Sequence, residues 1–300
     1  DKLIEEFSVL FKTSSDTEVV LHLYDKYGVK SFGMLDGMFA FSIIDKKKNK
    51  TFIARDFFGE KPLYYTKDNN SIIWASELKS IKKVFSKEFK ISKKALSLYF
   101  QLTYIPAPFS IYEDIFKLEP NKFIEIDLSS LNLKINPIEN DAKKVDYSEI
   151  NFVKAKKINH DLVMKSVESR SISDVPLGTF LSGGVDSSIV SLCLSKIKDT
   201  QIDTFSMGFE KKSFNETEKS KLVSKLIGSN HHEFIVTNKS LISYSNDLLL
   251  NYDEPFADSS ALPTYMVSKL ARSNVKVALT GDGGDEVYGG YNKYYMGLLN

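Results

Sequence analysis

TFLSGGVDSSIV (Thr179–Val190) runs from an apolar segment into two glycines, an aspartate and two serines, then turns apolar again. Strand, glycine loop and helix in that order make the repeating unit of a parallel sheet, and the order recurs downstream. After the predicted helix Asp186–Ile197, DTFSMGF (Asp203–Phe209) and HHEFIV (His231–Val236) read as strands. EKSKLVSKLIG (Glu218–Gly228) and PTYMVSKLARS (Pro263–Ser273) read as helices, as does the stretch around Val153–Ser171. VKVALTGDGGDE (Val275–Glu286) is again a strand running into a glycine loop. The alternation predicts a doubly wound parallel sheet, on which ligands bind beyond the carboxyl ends of the strands. Both glycine loops fall at such ends.

The first half has a different rhythm. Val19, Val20, Leu23, Tyr24 and Tyr27 recur at helical spacing over Thr17–Tyr27, with Ser15 and Asp16 as candidate caps and Gly28 as terminator. Strand-like stretches follow at Met38–Asp45, Lys50–Asp56, Lys61–Thr66, Ser71–Glu77 and Asn121–Leu128, the first four at hairpin spacing. This half is therefore predicted to hold an antiparallel sheet. NPIENDAKKVDYS (Asn136–Ser148) has almost no apolar periodicity and reads as a linker. The expected division is a first domain over 1–136, a linker over 137–150 and a second domain over 151–300.

Composition narrows the classes. A net charge of +1 over 300 residues gives no electrostatic case for nucleic acid or a membrane surface. The lysine-rich turn at 45–50 reads as a solvated hairpin tip. The single cysteine, Cys193, excludes an internal disulfide and fits a reducing, cytoplasmic setting. No apolar run reaches membrane length, and the opening DKLIEEFSVLF is not signal-like. The start at Asp1 without methionine and the stop at Asn300 in mid-pattern lead us to expect a piece of a longer chain.

Two loops carry the chemistry. Gly183 and Gly184 let the backbone approach an anion, and the helix that follows offers unpaired N–H groups and the positive end of its dipole. Ser182, Ser187 and Ser188 add hydroxyls, but the Walker A spacing and its lysine are absent. Asp186 is an anion where an anion should bind, which makes sense if Mg²⁺ lies between them. A glycine pair alone reads better as a plain strand-to-helix turn. TGDGGDE (Thr280–Glu286) changes the balance, since its carboxylates repel unless a cation is held. DEPFADSS (Asp253–Ser260) is a third acidic stretch ahead of a helix. His231 and His232 are adjacent on a strand and point to opposite faces, so a shared metal is not expected. Cys193, among Ile189, Leu192 and Ile197, reads as core.

SGGVDSS resembles the pyrophosphate loop of ATP pyrophosphatases. Together with DEPFADSSALPTYMVSKLA and VKVALTGDGGDEVYGGYNKY, the chain resembles the glutamine-hydrolysing asparagine synthetases. SDTEVVLHLYDKYG, LDGMFAFSIID, FIARDFFGEKPLYY and WASELKSI are similar to the later part of that family's glutaminase domain. The resemblance implies an Ntn-type antiparallel glutaminase fold followed by an adenine nucleotide α-hydrolase-like domain. It implies that Ser182, Gly183, Gly184, Asp186, Ser187 and Ser188 bind the pyrophosphate of ATP, and that Asp186 and Asp285 hold Mg²⁺. Phe180, Leu181 and Met207 match adenine-contacting positions, largely through backbone, and Thr280 and Gly281 match positions at ribose and phosphate. Asp282 stands where the family usually has a glutamate that helps form β-aspartyl-AMP. Asp16 matches the carboxylate that binds the α-amino group of glutamine, and a helix cap is its structural alternative. The family's nucleophile is an amino-terminal cysteine. With that cysteine outside this stretch, and Cys193 no substitute, this stretch is not expected to hydrolyse glutamine by itself. The implied reaction makes asparagine from aspartate, ATP and ammonia taken from glutamine. Another carboxylate acceptor, or a non-catalytic nucleotide-binding paralogue, are the alternatives. The partner set also admits a homodimer.

Overall fold

The computed structural model describes residues 11–85, 88–140, 150–210 and 217–297. The chain divides into two compact units: Asp1–Val145 with Asp253–Ala257, and Asp146–Tyr252 with Asp258–Asn300. Residues 141–149 of the expected linker lie outside the described residues.

In the first unit, helix α1 (Asp16–Tyr27) is capped by the Ser15 side chain, which accepts from Thr17 N, and ends at Gly28 with φ +60°. Strands β1 (Ala40–Asp45) and β2 (Lys50–Arg55) form a hairpin with Asp45 opposite Lys50, so the lysine-rich turn is its tip. The expected single antiparallel sheet is two sheets. The first runs β1-β2-β6-β7, where β6 is Lys122–Asp127 and β7 is Leu133–Pro137. The second is β4-β3-β5, from β3 (Tyr64–Lys67), β4 (Ile72–Ala75) and β5 (Phe116–Lys117).

The break falls in the turn after β2. There Arg55 donates to the carbonyls of Lys61, at 2.8 Å, Gly59, at 2.6 Å, and Leu118. The fully buried Asp56 carboxylate accepts from the N–H groups of Glu60 and Lys61 at 2.8 and 3.0 Å. These bonds turn the chain out of the first sheet. Helices α2 (Leu78–Val84) and α3 (Lys93–Leu102) follow β4.

Alternation on β2 sets the layers. Phe52 and Ala54 pack with Tyr24, Phe32 and Phe123 on the α1 side. Ile53 faces the opposite way and packs with Tyr65, Leu118 and Ile124. Leu78, Ile81, Ala95 and Ile115 close a third cluster against Tyr64 and Ile73. The result is helix, sheet, sheet, helix. Ile138 is buried in the first cluster, so close packing continues past residue 136.

The second unit opens with α4 (Phe152–Arg170) and then strand β8 (Leu177–Phe180). Next come helix α5 (Val185–Ile197), strand β9 (Asp203–Phe209), helix α6 (Thr217–Ile227) and strand β10 (Asn230–Val236). Helices α7 (Asn238–Asn251) and α8 (Ala261–Ala271) precede β11 (Val277–Leu279). All pairings are parallel, in the order β10-β9-β8-β11. One face is covered by α4 and α5 through Val167, Cys193 and Leu194, which pack with Ile202 just before β9. The other is covered by α8 through Val267 and Ala271 against Phe205. This is the doubly wound sheet expected from the alternation. The winding reverses between β8 and β11, and ligands on such sheets bind at that switch point. Among the described residues no helix is long and apolar enough to cross a membrane.

Candidate active site

The switch point sets the loop after β8 beside the loop after β11. Leu181 is fully buried and its N–H donates to Phe205 O at 2.8 Å, which carries β8 into the loop. Gly183 has φ +84°, and a Cβ there would lie 2.6 Å from Lys219 Cβ and 2.8 Å from Ser220 N, so α6 leaves room only for glycine. The hydroxyls bond to one another. Ser182 Oγ accepts from Gly184 N at 3.2 Å and lies 2.9 Å from Ser187 Oγ. Ser187 and Ser188 hydroxyls donate to Gly184 O at 3.2 and 2.6 Å. Ser191 continues the chain inward, donating to Ser187 O at 2.8 Å and lying 2.7 Å from Thr179 Oγ1.

No side chain caps the start of α5, so its first amides are presented to the loop. Asp186 lies in that first turn. A helix N-terminus favours a carboxylate, yet burial, reinforced by the charges of Asp285 and Glu286, pushes the Asp186 carboxyl above its usual range.

The second loop packs directly onto Asp186. A Cβ on Gly284 would meet Asp186 Cγ at 2.5 Å, and one on Gly281 would meet Ser187 N at 2.7 Å. Glycine at both positions is what lets the loops touch. Thr280 Oγ1 donates to Asp282 Oδ2 at 2.8 Å and accepts from Asp282 N at 3.3 Å, which holds this carboxylate in the loop. Gly283, with φ +90°, turns the chain into the short helix α9 (Gly284–Tyr288), which carries Asp285 and Glu286. Tyr291 donates to Glu286 Oε1 at 2.8 Å; the bond lowers the Glu286 carboxyl and pushes the Tyr291 phenol up to about 12.

Asp282, Asp285, Glu286, Gly281, Gly283 and Tyr291 line a polar cleft of about 390 Å³, joined by Asp258, Ser260 and Thr264 from the start of α8. Among the described residues no three His, Cys, Asp or Glu side chains converge as a ready-made metal cage. The cleft has an acidic wall, and the hydroxyl-rich loop does not line it but packs against the second loop behind it, at Gly281 and Gly284.

The residues singled out from sequence are distributed as follows. Asp186, Ser187, Gly281 and the acidic loop come together. Phe180, Leu181 and Met207 lie on or just after β8 and on β9 and do not line the acidic cleft. Asp16 is the first residue of α1 in the other unit; Ser15 is the cap, and the exposed Asp16 carboxylate takes a 3.3 Å contact from Thr17 Oγ1. Glu18 ties down the residues before it, accepting from Lys12 N at 2.8 Å and Thr13 N at 2.7 Å, bonds that lower its carboxyl to about 2. His231 bonds Thr204 and Ser206, whereas His232 bonds Asp203 and stacks on Phe205, so the two rings serve opposite faces. Asp258, Ser260, Thr264, Glu286 and Tyr291 were not singled out individually. DEPFADSS and the tyrosines after the second loop were the available signal.

Comparison with known proteins assigns the two halves separately. Residues 2–135 match the glutamine amidotransferase domain model, and residues 160–300 match the asparagine synthase model. The order is a glutamine amidotransferase domain followed by an asparagine synthase domain. Over nearly its whole length the chain is similar to glutamine-hydrolysing asparagine synthetases. It is 40% identical over 308 residues to a Methanocaldococcus jannaschii protein that bears the name of a glutamine-hydrolyzing asparagine synthetase, covering 99% of this chain and 58% of that one. It is 35% identical over 291 residues to asparagine synthetase [glutamine-hydrolyzing] 1 of Bacillus subtilis, covering 97% of this chain and 45% of that one. The chain spans about half the length of the curated relatives it matches.

Proposed function

We propose that the intact protein makes asparagine from aspartate, with ATP as the activating nucleotide and glutamine as the source of ammonia. The observation that carries this reading is the seating of Asp186 against Gly281 and Gly284, which packs the anion loop against the acidic loop. Supporting it, the walls are acidic, which suits an acceptor that carries an ammonium and disfavours a bare polyanion.

ATP lies with its pyrophosphate on Ser182–Ser188 and the first amides of α5, and its adenine toward Phe180, Leu181 and Met207. Thr280 and Gly281 meet ribose and phosphate. The donor set fits Mg²⁺: Asp186 and Asp285 are hard oxygen ligands, and Asp186 sits among anions with its charge uncompensated. Mg²⁺ needs only one or two carboxylates when phosphate oxygens and water complete its shell. When bound, it neutralises charge on the departing pyrophosphate. The acceptor carboxylate attacks the α-phosphorus, pyrophosphate leaves, and ammonia then displaces AMP from the β-aspartyl-AMP. Asp282, held by Thr280, faces the acceptor. Asp16 receives the glutamine ammonium in the first unit.

ATP–pyrophosphate exchange by the intact protein, with aspartate and a panel of carboxylic acids, tests the reading. Exchange with aspartate is expected. Exchange only with another acid would transfer the mechanism to a different acceptor, and ATP binding without any exchange would refute the enzyme reading.

A further inference from the structure

VYGGY (Val287–Tyr291) ends α9 on two glycines, and each is required for a different reason. Gly289 has φ +70°, and a Cβ on it would meet nothing within 4 Å, so its requirement lies in the backbone. Gly290 lies outside the left-handed region, and its requirement is space. A Cβ there would lie 1.8 Å from Asp285 Oδ1 and 2.9 Å from Asp285 Cγ. The Asp285 carboxylate therefore occupies the volume that a side chain at 290 would need.

Position 290 is tied in place from both sides. The N–H groups of Gly289 and Gly290 both donate to Asp285 O, the second at 2.9 Å. One residue further, Tyr291 donates to Glu286 Oε1 at 2.8 Å, and Lys293 Nζ lies 4.6 Å from the centre of the Tyr291 ring. These contacts hold the turn against α9. A methyl group added at 290 is accommodated by the Asp285 carboxylate, the end of a flexible side chain, and not by the backbone. Asp285 also lines the acidic cleft, so the carboxylate displaced would be one that the cleft uses.

We propose that Gly290 is a positioning residue for Asp285: by having no side chain it seats the Asp285 carboxylate in the pose in which it holds Mg²⁺. This rests on the reading of Asp186 and Asp285 as the metal ligands. Every residue involved lies in the second unit.

The test is a double-mutant cycle over Gly290→Ala and Asp285→Ala in the intact protein, with Gly289→Ala beside it. It reads the Kd of α,β-methylene-ATP, once with Mn²⁺ followed by its paramagnetic resonance and once in EDTA, so no turnover is needed. Gly290→Ala should weaken the Mn²⁺ complex about 10–100-fold, as disturbing a residue that orients a metal ligand does, and leave the metal-free analogue within about twofold. In the Asp285→Ala background Oδ1 and Cγ are gone, so Gly290→Ala should add less than about twofold. Gly289→Ala should lower Tm and keep the Mn²⁺ complex within about threefold. If Gly290→Ala instead lowers Tm and weakens both forms of the analogue alike in either background, its role is structural and the inference is overturned. Mn²⁺ binding by Gly290→Ala equal to wild type, with Asp285→Ala weakened, also overturns it and leaves the metal reading standing. Equal Kd values for Asp285→Ala and wild type would remove Asp285 from the metal site, and the inference with it.

Discussion

Gly284→Ala asks how close the two loops must be. Gly284 opens α9 without a positive φ, so alanine suits its backbone, and helix propensity favours the change by up to about 1 kcal/mol. The difficulty is Asp186. The new Cβ would lie 2.5 Å from Asp186 Cγ, 2.8 Å from Oδ2 and 3.0 Å from Cβ. Carbon atoms in contact sit about 3.5–4.0 Å apart, so Asp186 must retreat by about 1 Å. A displacement of about 1 Å in a reacting constellation costs about 100-fold in rate, equivalent to about 2.7 kcal/mol. The variant should therefore keep its Tm and lose about 100-fold in ATP–pyrophosphate exchange. Gly289→Ala is the control: its Cβ meets nothing within 4 Å, but its φ of +70° imposes strain. That variant should lose about 1–2 kcal/mol of stability and keep its exchange activity. Exchange by Gly284→Ala within about threefold of wild type would refute the idea that contact between the loops assembles the site.

Other expectations follow from the same structure. Because the Asp186 carboxyl is held above its usual range, the native state binds its proton more tightly than the unfolded chain, and stability falls as pH rises through the carboxylate range. Asp186→Asn should raise Tm at about pH 7 and leave it unchanged at about pH 3, while abolishing exchange; a lower Tm at the higher pH would contradict this. Arg55→Lys cannot reproduce three separate carbonyl bonds and should cost about 2–3 kcal/mol in denaturant unfolding. Asp16→Asn should raise the KM for glutamine about 10–100-fold in the intact protein and leave ammonia-dependent synthesis untouched. Leu194→Ala, at a fully buried position between α5 and the sheet, should cost about 2–5 kcal/mol.

The parallel sheet was legible because its cues are local. Each strand is short and apolar, each helix periodic, and the glycines mark the places where loops begin. The reversal of winding at β8 was not legible, since nothing within VKVALTGDGGDE says which edge β11 joins. In the first unit, hairpin spacing suggested one sheet, yet β2 pairs with β6, about 70 residues later, rather than with β3. The buried bonds of Arg55 and Asp56 that force this are long-range and leave no periodic trace. Helix α7 was missed because NKSLISYSNDLLLN offers no clear cap and an irregular apolar pattern. At the site, Asp186 stood out as a carboxylate beside glycines, and Asp285 through the resemblance of its loop. Asp258, Ser260 and Tyr291 became visible only when tertiary packing brought three loops to one cleft.

The hydroxyl chain Thr179–Ser191–Ser187–Ser182 bears on the thermodynamics of loading. In the loop, the donors rest on one another and on Gly184 O, so they are already ordered before an anion arrives. A hydroxyl rotates within its staggered wells without moving its Cα. An arriving phosphate therefore exchanges one hydrogen bond for another, with no coil to freeze. Calorimetry of nucleotide binding should accordingly show little conformational entropy loss and a heat-capacity change limited to the adenine surface that becomes covered.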